Sequence, residues 1–440
     1  MPVAPVTNTR PGKLADMTPE PSRERVRAAG PFRGVPAARW SIAWRLRGTA
    51  RRARSLGAES NWSAVVDEDL PYVWRTRPPP EERVTDPTAE QPSDPTPGVA
   101  RDDRSDPRKE ARRPKSRRSG IAIVLAVAFV LPVLLLTVLR TFDIPGGPTD
   151  TLVAFTPYAI PCAFLAGLLA LLGHARLFAL VCAVLFVVHV WWLAPMYLAS
   201  GPTVRGYSTT VMSVNLQYGN GDADQVVELV RERDVEILAV QELTDQAVEE
   251  LDAAGLDRML PHRHLAPSDG TPNGTGIWSK RAVTPTAFGN ERRMAFSNLR
   301  ATVATRGGVE VDLLAVHPFP PLPTTSEQWR RDVGELVRVG VPADRPMIMA
   351  GDFNATRDHA PLRQLRSQGL RDAADQAGAG YGPTWGVGAP FPRMFEIDHV
   401  LVSDGDIKAT ELTRHSIENT DHSAVVAELL ISEATGQVPG

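Results

Sequence analysis

Five short polar motifs in the last 235 residues each end or interrupt an apolar, β-branched run. They are Asn215, Gln241-Glu242, Gly351-Asp352-Phe353-Asn354, Ile397-Asp398-His399 and Thr420-Asp421-His422, and His317 ends a sixth such run. Apolar runs of this length are typical of buried strands, and sites in α/β sheets lie beyond the carboxyl ends of the strands. We therefore predict an α/β scaffold that brings these side chains together around one divalent metal.

Strand and helix patterns alternate from about residue 206. Thr209–Leu216 and Glu236–Leu243 are predicted strands, and residues 222–234 between them have apolar side chains at helical spacing. This unit is a right-handed crossover between parallel strands, so Asn215 and Glu242 should face one crevice. Further strands are predicted at 276–279, 299–305, 309–316, 346–351, 397–402 and 424–430, and a helix at 326–338. The predicted fold is α/β, with two mixed β-sheets packed face to face and flanked by helices.

Charge is distributed unevenly along the 440 residues. Residues 1–118 carry 24 Lys and Arg against 16 Asp and Glu, whereas residues 201–440 carry 22 against 33. The first stretch is rich in Pro and Arg and has too few apolar residues to fold on its own, so we predict a disordered basic tail over residues 1–118. The catalytic domain is predicted at 206–432, followed by a flexible C-terminus at 433–440.

Three apolar runs separate the tail from the domain. Ile121–Leu139, Leu152–Leu172 and Leu177–Leu193 are each about long enough to span the hydrocarbon core of a bilayer. Pro157 and Pro161 should kink the second run without abolishing it. We predict a region of three transmembrane helices at 119–195, and hence a chain whose first partner is the lipid bilayer.

The orientation of these helices follows from the basic residues beside them. Arg112, Arg113, Lys115, Arg117 and Arg118 immediately precede the first run. Because basic residues stay on the cytoplasmic side, the N-terminus is predicted to be cytoplasmic and three spans place the domain outside. The connection after the last span is short, so the catalytic domain is expected to lie close to the outer membrane surface.

These polar motifs resemble those of the endonuclease/exonuclease/phosphatase superfamily, whose fold is DNase I-like. The matching motifs are Asn215, QE at 241–242, GDFN at 351–354, IDH at 397–399 and DH at 421–422. The whole architecture is also similar to VanJ-type membrane proteins, which are linked to teicoplanin resistance and to dephosphorylation of undecaprenyl pyrophosphate. These resemblances imply a metal-dependent phosphoric ester hydrolase.

The resemblance and the chemistry of the side chains together assign a role to each residue. The predicted metal ligands are Asn215, Glu242 and Asp421, with Mg²⁺ as the expected ion and Mn²⁺ as the alternative. The predicted catalytic residues are His317, Asp352, Asn354, Asp398 and His422. Of these, His422 would act in acid–base chemistry and is paired with Asp398 by the resemblance, and His317 would donate to a phosphate oxygen.

The motifs do not distinguish monoester, diester and pyrophosphate substrates. A short membrane tether favours a lipid phosphate, and the acidic domain argues mildly against a stable nucleic-acid partner. A membrane-tethered extracellular nuclease is the alternative. The sequence leaves open whether residues 281–297 or 378–395 select the substrate. Residues 378–395, which we call the lip, are rich in Gly, Pro and aromatic residues and lie just before Asp398, so we expect them to grip the substrate.

Overall fold

The computed structural model describes residues 117–201, 203–287, 294–342, 344–386 and 392–433. The predicted tail at 1–118 lies outside these residues except for its last two, and the predicted C-terminus at 433–440 lies outside them except for its first. All the described residues belong to one compact unit.

Apolar helices form the first part of the described chain. Helix α1 (Arg117–Phe142), and helix α4 (Arg176–Leu193) with the 3₁₀ turn after it, are long and apolar enough to cross a membrane. Between them lie α2 (Gly147–Val153) and a stretch that contains α3 (Ala159–Leu172), bent by 57° to each other. The two helices make a third candidate membrane span only if they are taken together as one bent span. The break lies between Val153 and Thr156, just before Pro157, which has no backbone N–H to continue the hydrogen bonding of α2.

Helices α1, α3 and α4 pack together, and we call them the apolar bundle. The buried stripe of α3 consists of Ala159, Ala163, Ala166 and Ala170, at helical spacing. Alanine lets helix backbones approach closely, which is how helices pack where no water drives them together. The outward-facing residues are mostly large aliphatic side chains that the protein leaves exposed.

The rest of the chain alternates strands with helices. The strands are β1 (Gly206–Asn215), β2 (Ile237–Gln241), β3 (His262–Ala266), β4 (Thr275–Ser279), β5 (Val283–Thr286), β6 (Leu299–Ala304), β7 (Glu310–Val316), β8 (Met347–Asp352), β9 (Leu370–Asp372), β10 (Asp398–Ser403), β11 (Ile407–Ser416) and β12 (Ser423–Ser432). The helices are α5 (Ala223–Glu232), α6 (Asp245–Ala254), α7 (Leu256–Met259), α8 (Ser326–Val339), α9 (Ala360–Ser367) and α10 (Ala373–Ala377).

The described strands form two six-stranded mixed sheets. Their orders are β11-β12-β1-β2-β4-β3 and β5-β6-β7-β8-β10-β9. Strands β1 and β2 are parallel, as are β7 and β8, and the remaining neighbours are antiparallel. The predicted crossover between β1 and β2 and the predicted hairpin of β6 and β7 are both confirmed. Strands β3, β5, β9 and β11 and helices α6, α7, α9 and α10 were not predicted from the sequence.

Three hydrophobic layers explain why the strands are apolar on both faces. Val211 of β1 and Leu313 of β7 belong to a central core between the two sheets. The next residue of β1, Met212, faces an outer core covered by α5 and α6, and Trp329 of α8 covers the second sheet. The result is the predicted sandwich of two sheets flanked by helices, a DNase I-like fold.

Candidate active site

Two parallel strands of the first sheet deliver an amide and a carboxylate to the same edge. Asn215 ends β1 opposite Gln241 at the end of β2, so Glu242 follows directly beside it. Glu242 has a left-handed backbone with φ of 54°, which turns the chain sharply at this point. Its carboxylate accepts a hydrogen bond from the Tyr218 backbone N–H (2.8 Å) and another from the Asn215 amide (3.1 Å).

The second sheet contributes two aspartates that lie directly opposite each other. Asp352 ends β8 and Asp398 begins β10, and the two are register partners. Gly351 precedes Asp352, and a Cβ there would lie 2.0 Å from the carbonyl oxygen of Val316 on β7. Only glycine allows this close approach of two strands, which brings Asp352 next to the residues that follow β7.

The two sheets meet at the amide of Asn215. Its Nδ2 donates to Glu242 Oε1 and to Asp352 Oδ2, both at 3.1 Å, so the two carboxylates share one donor. Burial raises the pKa of Asp352, and the nearby Asp398 and Glu242 raise it further. Burial also raises the pKa of Glu242. Carboxylates crowded in this way favour a cation beside them, and their hard oxygens suit Mg²⁺ or Mn²⁺.

His422 and Asp398 form the predicted carboxylate–imidazole pair. His422 Nδ1 lies 2.9 Å from Asp398 Oδ2, and its other nitrogen, Nε2, lies 3.7 Å from Asp352 Oδ2. Burial alone would lower the pKa of His422, but Asp398 and Asp352 outweigh it and the pKa is raised. Ligand atoms of these three residues lie within 4.8 Å of one another. Because Asp398 already engages the imidazole, we interpret the group as an acid–base pair beside Asp352.

His317 is buried and also lies beside Asp352. Its Nε2 is 3.7 Å from Asp352 Oδ2 and 3.9 Å from Glu242 Oε1. Burial, reinforced by the charge of His422, lowers the pKa of His317 to about 3. The ring is therefore neutral near pH 7, and a neutral imidazole can donate one N–H to a phosphate oxygen without carrying a charge.

The other predicted residues lie at the same edge, and each forms its own contacts there. The backbone N–H of Asn354 donates to Asp352 Oδ1 (2.8 Å), and its side-chain amide donates to the Pro318 carbonyl (3.0 Å). The amide oxygen of Asn215 accepts from the Gln217 N–H (2.9 Å), so this residue offers N–H groups rather than oxygen to the centre of the site. Asp421 Oδ1 lies 3.9 Å from His422 Nε2. The structure thus brings all eight residues together, and their individual roles stay predictions.

Two residues of the lip, which were not predicted as site residues, contact the segments that carry Asp398 and Asp421. The hydroxyl of Thr384 accepts hydrogen bonds from the backbone N–H groups of Ile397 (3.1 Å) and Asp398 (3.2 Å). The indole Nε1 of Trp385 donates to Asp421 Oδ2 (2.9 Å). The local sequence does not predict these contacts. The available signal was weak: a Thr and a Trp that are adjacent in a Gly-rich segment. The predicted grip of the lip on a substrate stays a prediction, and residues 387–391 lie outside the described chain.

Two loops that carry site residues, those after β7 and β8, also contact the apolar bundle and α2. After His317, the Pro321 carbonyl accepts from Thr151 Oγ1 (2.8 Å). After Asp352, the carboxylate of Asp358 pairs with Arg140 Nε at the end of α1 (2.6 Å). The same loop continues to a buried histidine at position 359, whose Nε2 lies 2.8 Å from the Asp150 carbonyl. Site and bundle are therefore neighbours.

A double sandwich that gathers acids and imidazoles at one edge is the architecture of metal-dependent hydrolases of phosphoester bonds, and this chain is one of them. Residues 212–422 match the Endonuclease/Exonuclease/phosphatase family, and the domain formed by β1–β12 belongs to that family. The divalent-metal dependence of the family agrees with the carboxylate and imidazole donors described above.

Several solved structures are similar to this chain. An endonuclease/exonuclease/phosphatase from Beutenbergia cavernae is 18% identical, with a TM-score of 0.40, over 52% of this chain and 72% of that chain. A D. rerio TDP2 complexed with single strand DNA product is 15% identical, with a TM-score of 0.40, over 50% and 98%. An endonuclease/exonuclease/phosphatase from Bacteroides vulgatus is 17% identical, with a TM-score of 0.39, over 51% and 100%. No curated protein matches the chain.

Proposed function

We propose that this protein is a membrane-anchored, Mg²⁺-dependent phosphoesterase whose active site lies outside the cytoplasm. Its proposed substrate is a lipid-linked phosphate or pyrophosphate of the cell envelope, such as undecaprenyl pyrophosphate. The VanJ-type resemblance, which stays a prediction, would connect this activity to teicoplanin resistance.

One observation carries the proposal: the loops after β7 and β8, which follow His317 and Asp352, contact the apolar bundle and α2. Arg140 lies in the last turn of α1 and pairs with Asp358, six residues after Asp352. Near the start of α2, Asp150 contacts Ser326 and pairs with Arg330 Nε (2.8 Å) on α8. A soluble substrate gives no reason for a catalytic edge to be placed against apolar helices. A substrate whose phosphate lies at the surface of a bilayer does.

The ends of α1 and α4 support the proposed orientation. Thr137 Oγ1 of α1 lies 3.0 Å from His189 Nε2 of α4, and the Arg140 guanidinium lies 3.8 Å from the ring centre of Trp192. The two helices are thus in contact at the end that meets the domain. The basic residues before α1 favour a cytoplasmic position for its other end. Trp192 and Arg140 are residue types that suit the outer membrane interface.

The residues of the site fit in-line hydrolysis by water. A divalent cation held by Glu242 and Asp421 would neutralise charge that builds on the phosphate oxygens, and the Asn215 amide would orient the Glu242 carboxylate. His422 Nε2 lies 3.7 Å from Asp352 Oδ2, so Asp352 can orient water and accept its proton while His422 contacts the phosphate. Asp398 holds His422 through Nδ1, and the neutral His317 donates to a non-bridging oxygen. No covalent intermediate is proposed.

The test is phosphate release by the full-length protein in detergent with Mg²⁺. Undecaprenyl pyrophosphate and DNA are offered to the wild type, to Asp352→Ala, and to Asp404→Ala, an exposed aspartate between β10 and β11. We expect lipid turnover that Asp352→Ala abolishes and Asp404→Ala retains. Cleavage of DNA without lipid turnover would refute the lipid substrate and favour the tethered nuclease.

A second experiment tests the side of the membrane. A cysteine placed at Asp404 should react with a membrane-impermeant maleimide on intact cells, because that residue is exposed. The native Cys182 is buried and Cys162 is partly buried in the bundle, so they should contribute little background. Labelling that requires cell lysis would place the domain in the cytoplasm and refute the proposed orientation.

A further inference from the structure

A series of contacts connects the apolar bundle to the lip. The ring of Phe155, just before α3, meets the ring of Phe395 edge-on, with 4.9 Å between centroids. Tyr158 Oη donates to the Met394 carbonyl (2.8 Å), which also accepts from Tyr381 Oη (2.6 Å). These contacts fix the part of the lip nearest to Asp398.

The lip in turn contacts the last polar motif of the site, Thr420-Asp421-His422. Trp385 and Phe395 exchange two backbone hydrogen bonds of 2.9 and 3.0 Å, and their rings stack at 6.0 Å between centroids. Trp385 Nε1 then donates to Asp421 Oδ2 (2.9 Å), and its backbone forms a bridge with His422. The path from Phe155 to Asp421 therefore passes through only two intervening residues.

We propose that Phe155 and Tyr158 are positioning residues of the active site, which act through Phe395 and Trp385 on the carboxylate of Asp421. The indole N–H occupies one oxygen of Asp421 and leaves the other, Oδ1, directed toward His422. A carboxylate held by one hydrogen bond loses less rotational freedom when it binds a cation, and such outer contacts tune metal affinity. The helices thus take part in building the metal site as well as anchoring it.

The physical reason lies in the packing of aromatic rings. Edge-to-face and stacked rings resist sliding, so movement of Phe155 is transmitted to Phe395 and then to the indole. The inference rests on the metal site of the proposed function but not on the identity of the substrate. It can therefore be tested by metal binding alone.

The experiment measures Mn²⁺ binding by electron paramagnetic resonance, with the full-length protein in nanodiscs and no substrate. We expect Trp385→Phe to weaken Mn²⁺ binding about tenfold, because it keeps an aromatic ring but removes the N–H. The double variant Phe155→Leu, Tyr158→Phe should weaken it in the same direction, without loss of thermal stability. Phe164→Ala is the matched control, since this exposed ring of α3 lies beside Phe186 and away from the lip.

Wild-type Mn²⁺ affinity in the double variant or in Trp385→Phe would overturn the inference, and so would equal weakening in Phe164→Ala. A wild type that binds no Mn²⁺ would overturn both the inference and the proposed metal site. Normal Mn²⁺ behaviour with no lipid turnover would refute only the proposed substrate. The two proposals can therefore fail separately.

Discussion

Two aspartate–histidine pairs, each with one member on β10, provide a direct test of the site. Asp398 and His399 are consecutive residues of β10, and their side chains point to opposite faces, as the period-two rule requires. Asp398 contacts His422 in the active site at 2.9 Å, and His399 contacts Asp372 behind it, also at 2.9 Å. We expect Asp398→Asn to remove activity and Asp372→Asn to remove stability.

The cost of Asp372→Asn follows from burial. Asp372 and His399 are both buried, and the remaining nitrogen of His399 lies 2.9 Å from the Ala355 carbonyl. Removing one member of a buried pair leaves the other without compensation and costs about 3 kcal/mol or more. In a domain of this size that corresponds to a fall in Tm of about 6–12 °C. Asparagine can still cap α10 through the N–H of Ala374, so loss of the cap should not contribute.

Asp398→Asn should behave in the opposite way. Asp398 raises the pKa of the neighbouring Asp352, so its neutralisation relieves repulsion between two buried carboxylates. That relief offsets the lost attraction to His422, and Tm should change little. Activity should fall about a hundredfold or more, because general acid–base catalysis contributes about 10²- to 10⁴-fold.

The stability of the second pair should depend on pH with a defined sign. Burial lowers the pKa of His399, but Asp372 and then Glu396 outweigh it and raise the pKa to about 9. The pKa of Asp372 is lowered by His399, against burial. Stability from a raised histidine pKa is complete below about pH 6.5 and is lost as pH rises through 9. Stability from the lowered aspartate pKa is present above about pH 4. The Tm difference between wild type and Asp372→Asn should therefore be largest between about pH 4 and 6.5.

The assay combines differential scanning fluorimetry of the full-length protein with phosphate release under the same conditions. Loss of activity in Asp372→Asn at unchanged Tm would refute the assignment of the two faces. A larger fall in Tm for Asp398→Asn than for Asp372→Asn would refute it as well. A Tm difference that grows from pH 6 to pH 9 would contradict the sign of the linkage.

Three other predictions follow from single contacts. Gly351→Ala should lower the yield of folded protein, measured by size-exclusion chromatography, because its Cβ would lie 2.0 Å from the Val316 carbonyl. Mg²⁺ at about 100 times its Kd should raise unfolding stability by about 2.7 kcal/mol in thermal scans, and Glu242→Gln should lack most of that gain. Arg140→Ala should lower Tm, because Asp358 then stays buried without its partner; an unchanged Tm would show that this pair does not hold the domain.

The sheet and much of the site could be predicted because local patterns encode them. Apolar runs that are buried on both faces identify β1, β2, β7 and β8. A polar residue at the end of each run then lies at the edge of the sheet. Strand β11 was missed because its sequence, IKATELTRHS, mixes charged and apolar residues and leaves several side chains partly exposed. Edge strands of this kind are stabilised by pairing with β12, which no local pattern records.

The role of the lip could not be predicted for a different reason. The contact between Trp385 and Asp421 joins residues 36 positions apart, and that between Tyr158 and Met394 joins residues 236 apart. Contacts at such separations depend on how completed elements pack, so neither periodicity nor composition carries them. The roles of the site residues were predicted from sequence motifs. The residues that hold them in place are identified only by the tertiary structure.

Placement of the catalytic edge against apolar helices also bears on how the site is ordered. Loops at the ends of strands are usually the most mobile parts of a sheet protein, and ordering each residue costs about 1–2 kcal/mol. Here the loops after β7 and β8 and the segment before β10 are fixed by Thr151, Arg140 and Tyr158. A site fixed in this way binds a cation and a phosphate with little further loss of entropy. The catalytic domain separated from these helices should therefore keep its sandwich core but bind metal more weakly, because the loops that carry the ligands would have to be ordered on binding.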